Sequence, residues 1–178
     1  MKKSISVLLI LSSLLFVLCG CTNMNVNTNT EKKLIAHNDY IENLYGKDFF
    51  ENYCNNCNIE IVEPTVMADS YNYENGNSVT SIQVNSKKDT DEIYYIKVMA
   101  LSETNIDDFL KASELGFKQD SEIKEWIKDN INKNKTEYNG GMYYKMSQAL
   151  NKPILEIYTF NGQLYEKKQE KKALDLEM

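Results

Sequence analysis

The chain contains no arginine, so its twenty basic residues are all lysines. Without a guanidinium it has no rigid bidentate fork for phosphate or carboxylate. The 26 acids outnumber those lysines and give a formal net charge of -6 at pH 7. Phosphate neutralisation needs clustered cations, so nucleic-acid binding drops out as a function class. A basic patch for anionic lipid is missing for the same reason. Histidine is scarcer still. His37 is the single histidine in 178 residues, and it would have to serve as base in any Ser–His arrangement. No Gly-x-Ser-x-Gly elbow accompanies it. No internal repeat at a fixed period is present.

What is present begins at the N-terminus. Met1-Lys2-Lys3-Ser4 leads into an apolar run from Ile5 to Leu18, followed by Cys19-Gly20-Cys21. A short basic segment followed by an apolar one is the layout of a secretory signal. The run falls short of the roughly 20 residues that span a bilayer, and no basic stop-transfer cluster follows it. Leu18-Cys19-Gly20-Cys21 resembles the lipobox of bacterial lipoproteins, in which a Leu stands three before an acylated Cys and a small residue just before it. Leu18, Gly20 and Cys21 fit those places, while Cys19 stands where the family usually has Ala, Ser, Thr or Val. The resemblance covers residues 1–21. It implies cleavage between Gly20 and Cys21, a diacylglycerol-type (palmitate-bearing) lipid on Cys21, and a chain held on the outer side of a cell membrane. Two acyl chains anchor stably where one gives marginal binding.

Loss of residues 1–20 removes Lys2 and Lys3, leaving eighteen lysines against 26 acids, net -8. Residues 21–33 then carry the lipidated Cys and a polar, low-complexity stretch, TNMNVNTNTEKK, expected to act as a flexible tether. Residues 34–168 are the expected globular domain, and 169–178 a charged tail.

Within the domain, Leu34, Ile41, Leu44 and Tyr45 suit one helical face, with His37 on the same stripe and Gly46 as C-terminal cap. Phe49, Phe50 and Tyr53 suit a second helical piece. Ile59, Ile61 and Val62 before Pro64 read as strand. Val66–Tyr73 and Ser78–Asn85 flank Glu74-Asn75-Gly76-Asn77, a hairpin signal, because Asn-Gly accepts positive φ. Glu92–Leu101 is aromatic and β-branched, hence a strand. Two helices follow, one with a capping box at Thr104–Asp107 and a stop at Gly116. The other begins near Asp120-Ser121, with Ile123, Trp126, Ile127 and Ile131 on one face. Asn139-Gly140-Gly141 breaks that pattern. Met142–Met146 reads as strand, and Ile154–Phe160 with Gln163–Lys168 reads as a second hairpin about Asn161-Gly162. Antiparallel hairpins with segregated helices give an α+β class, the helices packed on one face of an antiparallel sheet.

Chemistry-bearing residues are few. Cys54-Asn55-Asn56-Cys57 supplies the two cysteines that remain after export. Outside the cell they are expected to pair as a disulfide. The alternative is a thiol-oxidoreductase pair, but such pairs follow a strand and open a helix, whereas this one follows a helix-like segment. A zinc site wants four N or S donors, which Cys54, Cys57 and His37 do not reach. Asp89-Thr90-Asp91-Glu92 lacks the Gly and closing Glu of a calcium loop and reads as a turn. Asp107-Asp108 reads as helix N-terminal charge. Tyr71, Tyr73, Tyr94, Tyr95, Tyr143, Tyr144, Tyr158 and Tyr165 fall in strand-like segments and suit either a recognition surface or ordinary sheet packing. No catalytic residue, cofactor or metal site is assigned. The reading is a membrane-anchored module that binds a protein, peptide or envelope component through its sheet face. Thiol oxidoreductase and structural envelope or spore-associated lipoprotein are the alternatives.

Overall fold

Ile82 and Val84, like Ile96 and Val98, alternate with polar residues, and these two segments become the centre of the sheet. The computed structural model describes residues 35–112, 121–164 and 167–168. The signal, the tether and Cys21 lie outside them, as do Leu34, Leu115, Gly116, Tyr165 and the C-terminal tail. The fold is α+β. In chain order the elements are α1 (Gly46–Cys57), β1 (Thr65–Val66), β2 (Ser70–Gly76), β3 (Thr80–Lys87), β4 (Ile93–Ala100), α2 (Glu103–Ala112), α3 (Ser121–Asn130), β5 (Lys135–Asn139), β6 (Met142–Ala149) and β7 (Lys152–Tyr158). The seven strands form one sheet in the order β1-β2-β3-β4-β7-β6-β5, and every pairing is antiparallel. Two meanders, β1–β4 and β5–β7, thus meet at β4 and β7, with α2 and α3 in the connection between them.

Register puts Tyr73, Val84, Ile96, Ile157 and Tyr144 in one row across the sheet. All of them are buried. The helices cover this face: Phe50 of α1 meets the Tyr73 ring at 5.6 Å, Phe49 meets Phe109 of α2 at 5.5 Å, and Trp126 of α3 meets Tyr144 at 5.9 Å. In α1, Phe49, Phe50, Tyr53 and Cys54 are buried on one face, the i, i+1, i+4, i+5 stripe of an amphipathic helix. Asn58 ends α1 in the left-handed region at φ 53°, a place Asn tolerates after Gly.

Several boundaries differ from the sequence reading. Residues 35–45 are not a helix but a loop, tied down by isolated bridges Ala36–Ile41 and Tyr45–Glu92. Ile41 and Leu44 are buried there, so burial imitated a helical stripe. Gly46 opens α1 rather than capping a helix before it. A Cβ at Gly46 would stand 2.7 Å from Asp91 Oδ1, Ser86 Oγ and the Tyr73 ring, so close approach explains this glycine. Residues 59–64 belong to no helix or strand, and only Thr65–Val66 join the sheet. Helix α2 starts at Glu103, so Thr104–Asp107 is not its cap and Asp107-Asp108 lie a turn inside.

The β2–β3 hairpin stands where expected, but its turn is Asn77-Ser78-Val79. Asn77 Oδ1 accepts from the Val79 and Thr80 amides at 2.8 and 2.9 Å. Strand β5 carries no sequence signal, because nearly all of it is exposed on both faces. Gly140 and Gly141, at φ 59° and 84°, join it to β6 in a two-residue turn, as hairpin twist demands. The second hairpin is β6–β7, turning at Leu150-Asn151 with φ 53° and 62°. Residues 160–164 are helical, so Asn161-Gly162 is not a hairpin turn.

Candidate binding cleft

Helix α1 leaves its first amides without a local partner, since Tyr45 at the N-cap offers no side-chain bond. The cap comes from 44 residues away. Asp91, in the turn before β4, accepts from the Lys47 amide through Oδ2 at 2.9 Å, and its carbonyl accepts from the Gly46 amide at 2.8 Å. Its Oδ1 accepts from Ser86 Oγ at 2.5 Å and Tyr73 OH at 3.1 Å. Asp91 itself sits at φ 57°. A carboxylate at a helix N-terminus is favoured by the backbone dipole. With four bonds committed to structure, Asp91 is a fastening residue and not a free base. Burial, then the Asp91 charge, pushes the Tyr73 phenol well above its ordinary range.

The same junction opens into a cleft of about 510 Å³. Helix α1 contributes Lys47, Phe50 and Glu51, the segment 61–66 contributes Ile61, Val62, Glu63, Pro64 and Val66, and β2 contributes Tyr71 and Tyr73. The segment is held by amide side chains of the hairpin: Asn75 Nδ2 donates to Glu60 O at 2.7 Å, and Asn77 Nδ2 to Cys57 O at 3.1 Å. The Asn-rich turn therefore fastens a strap beside the sheet edge. Ile61, Val62, Val66 and Met67 along that strap are exposed, Val66 at 61%. The cleft has the volume of a ligand site and a mostly apolar lining.

The residues singled out from sequence mostly lie elsewhere. Cys54 and Cys57 occupy the last turn of α1 and are free thiols. Cys54 is fully buried, and Cys57 Sγ donates to Asp108 Oδ2 at 3.8 Å. Burial, aided by nearby negative groups, pushes each thiol up to about 11. A helix C-terminus opposes a thiolate through the dipole, so this geometry lacks the activation that a redox pair requires. Beside them, Tyr53 OH hydrogen-bonds Thr80 Oγ1, and burial raises its phenol well beyond the ordinary range. His37 is exposed in the N-terminal loop, 4.0 Å from Glu42 and 4.8 Å from the Tyr40 ring. It lies on no helix. No metal-binding group of three or more His, Cys, Asp or Glu occurs among the described residues.

The tyrosines form a face that is only partly open, with Tyr138 61% exposed at its β5 end. Tyr95, Tyr158, Tyr143 and Tyr138 form a lateral row on the sheet face away from α1–α3, and their rings pack side to side at 4.8 to 6.3 Å. Tyr95 and Tyr158 are buried. Beside them Glu156, also buried, accepts from Tyr95 OH at 2.8 Å and pairs with Lys145 at 3.2 Å. Sequence reasoning missed the two features that matter most here. Asp91 gave no local signal because its partners are remote, and the exposed strap looked like a strand.

Among the described residues no helix is long and apolar enough to cross a membrane. No family model, curated protein or solved structure matches the chain.

Proposed function

We propose that this chain is a lipid-anchored, extracytoplasmic binding module, tethered through Cys21 and residues 22–33, whose ligand-binding feature is the cleft between α1 and the strap at 61–66. The observation that carries the binding half is the cleft's composition: exposed Ile61, Val62 and Val66 beside Phe50, Tyr71 and Tyr73. Exposed apolar side chains gathered at a concave site mark recognition surfaces. Asp91, which reaches this cleft from the β4 turn, is committed to capping α1 and acts there as a structural group. The lipobox-like residues Leu18–Cys21 support the anchor. In an oxidising compartment Cys54 and Cys57 would cross-link the last turn of α1, a structural role. The ligand is a protein or envelope component.

Placing a photo-crosslinking residue at Val66, in producing cells, tests the binding half. A discrete adduct from position 66, absent from a control at Leu150 on the β6–β7 turn, is the expected result. Equal or absent labelling at the two positions would refute the cleft as the contact site.

A further inference from the structure

The two edges of the sheet differ. At one edge β1 supplies only Thr65–Val66, and Pro64 before them has no N–H to offer a further strand. At the other edge β5 runs from Lys135 to Asn139 without a proline. Among the described residues it pairs with β6 alone. Lys135, Thr136, Glu137 and Tyr138 are all exposed. An exposed edge with an unpaired row of backbone donors and acceptors is a template for another strand.

The β5–β6 turn decides which groups face outward. Asn139 and Met142 flank the two-residue turn Gly140-Gly141 and so exchange ladder bonds with each other. Bonded and non-bonded pairs alternate from there. Glu137 and Lys135 therefore aim their amides and carbonyls at β6, and Tyr138 and Thr136 aim theirs outward. Asn134, next in the same alternation, is also exposed. A second copy of β5, antiparallel about a two-fold axis, must match outward groups with outward groups, which leaves few registers. Centred on Glu137, that carboxylate meets its own copy; centred on Lys135, two ammonium groups meet. Centred on Tyr138, Glu137 meets Asn139 and neither charge is matched. Centred on Thr136, Lys135 meets Glu137 of the second copy on both sides of the axis. These are non-bonded pairs, in which side chains stand closest. Like charges directly opposite are destabilising and unlike charges stabilising, so charge selects the Thr136 register.

We propose that β5 is a self-association edge on which a second copy of this chain pairs antiparallel about Thr136, joining the two sheets into one. Tyr138 of each copy then lies opposite Asn134 of the other. Lys135 and Glu137, 3.9 Å apart on one strand and each about half exposed, exchange that contact for Lys–Glu pairs across the axis. The strand's five residues span about 17 Å of edge at about 3.4 Å each, so the contact is small and the association weak, in the class of transient interfaces. β5 stands at the far end of the strand order from β1 and the strap, so pairing leaves the cleft uncovered.

Sedimentation velocity of the purified protein, kept reduced and run from about 10 µM to about 1 mM, reads the association. The expected result is a reversible, concentration-dependent dimer that weakens with added salt. Glu137→Lys and Lys135→Glu each set like charges opposite one another and are expected to weaken the dimer about tenfold or more. The double swap, K135E with E137K, is expected to restore it to within about threefold of the parent. Thr136→Pro removes an outward N–H and no bond to β6, so it should abolish the dimer and leave the circular dichroism spectrum like the parent's. A monomer throughout that range would overturn the proposal. So would a dimer that survives Thr136→Pro, or single-charge variants that the swap does not rescue. None of these outcomes bears on labelling at Val66.

Discussion

Asp91 is the residue through which α1, the β4 turn and the β2–β3 hairpin hold together, so its removal should be felt well beyond one turn. In Asp91→Ala the Lys47 amide loses its cap, which costs about 1 kcal/mol. The hydroxyls of Ser86 and Tyr73, both buried residues, lose their acceptor, at about 1–3 kcal/mol each for an unsatisfied group. Because Asp91 borders the cleft, water can reach part of this site and soften the loss. The expected total is about 3–5 kcal/mol. Asp91→Asn keeps one acceptor oxygen and tolerates φ 57°, but sets an amide N–H₂ toward the Lys47 N–H, for a loss of about 1 kcal/mol. Asp91→Gly loses all the side-chain bonds yet relieves the left-handed backbone, worth about 1–2 kcal/mol. The order of stability is therefore parent, Asn, Gly, Ala. Urea unfolding followed by Trp126 fluorescence and by circular dichroism measures it. An Asp91→Ala protein within about 0.5 kcal/mol of the parent, the range of a neutral surface change, would refute the trans-capping account.

In the reduced protein, alkylation with iodoacetamide should be slow at neutral pH for both thiols, with rates still climbing at pH 10, because burial pushes both up to about 11, and with half-buried Cys57 ahead of Cys54. A thiol already at its plateau rate at pH 8 would contradict this. The same shifts bear on stability. Above pH 9 the unfolded chain releases protons that the folded chain retains at Cys54 and Cys57, so stability holds below pH 9 and falls as pH rises toward 11. Tyr53 and Tyr73, raised mainly by burial, extend the fall above pH 10. Urea midpoints measured from pH 8 to 10.5 should decline, and a flat profile would sink the assignment. Leu150, 95% exposed at φ 53°, is a poor residue for its turn. Leu150→Asn should stabilise by about 0.5–1 kcal/mol through relief of left-handed strain, and a loss of stability would show that the leucine has a contact not accounted for.

Where hydrophobic periodicity coincides with one element, sequence alone sufficed. The β2–β3 hairpin, β4 and α3 carry their alternation or helical stripe in contiguous residues, and all three form, although Glu74-Asn75-Gly76, expected as the turn, pair within β2 and the turn moves to Asn77–Val79, and α3 ends at Asn130 before Ile131. The errors fall where burial is set by remote partners. Ile41 and Leu44 are buried by β4 and its neighbours and not by a helix of their own, as the Ile41 amide bond to Ile93 O at 2.7 Å shows. Gly46 looked like a stop because close packing and chain reversal call for the same residue. The β6–β7 turn was invisible because Leu150 is not a turn former. The binding features were less legible than the fold. The exposed strap has the composition of a strand at Ile61 and Val62, and only their missing ladder partners reveal it as a wall, since pairing begins at Thr65–Val66.

The most direct test of the account is the intact mass of the protein recovered from the membrane fraction of producing cells, compared with Cys21→Ala. A chain beginning at Cys21 with a diacylglyceryl-sized increment, lost together with membrane association on substitution, is the predicted result. A soluble chain with an unmodified Cys21 would contradict it, and the module would then have no anchor.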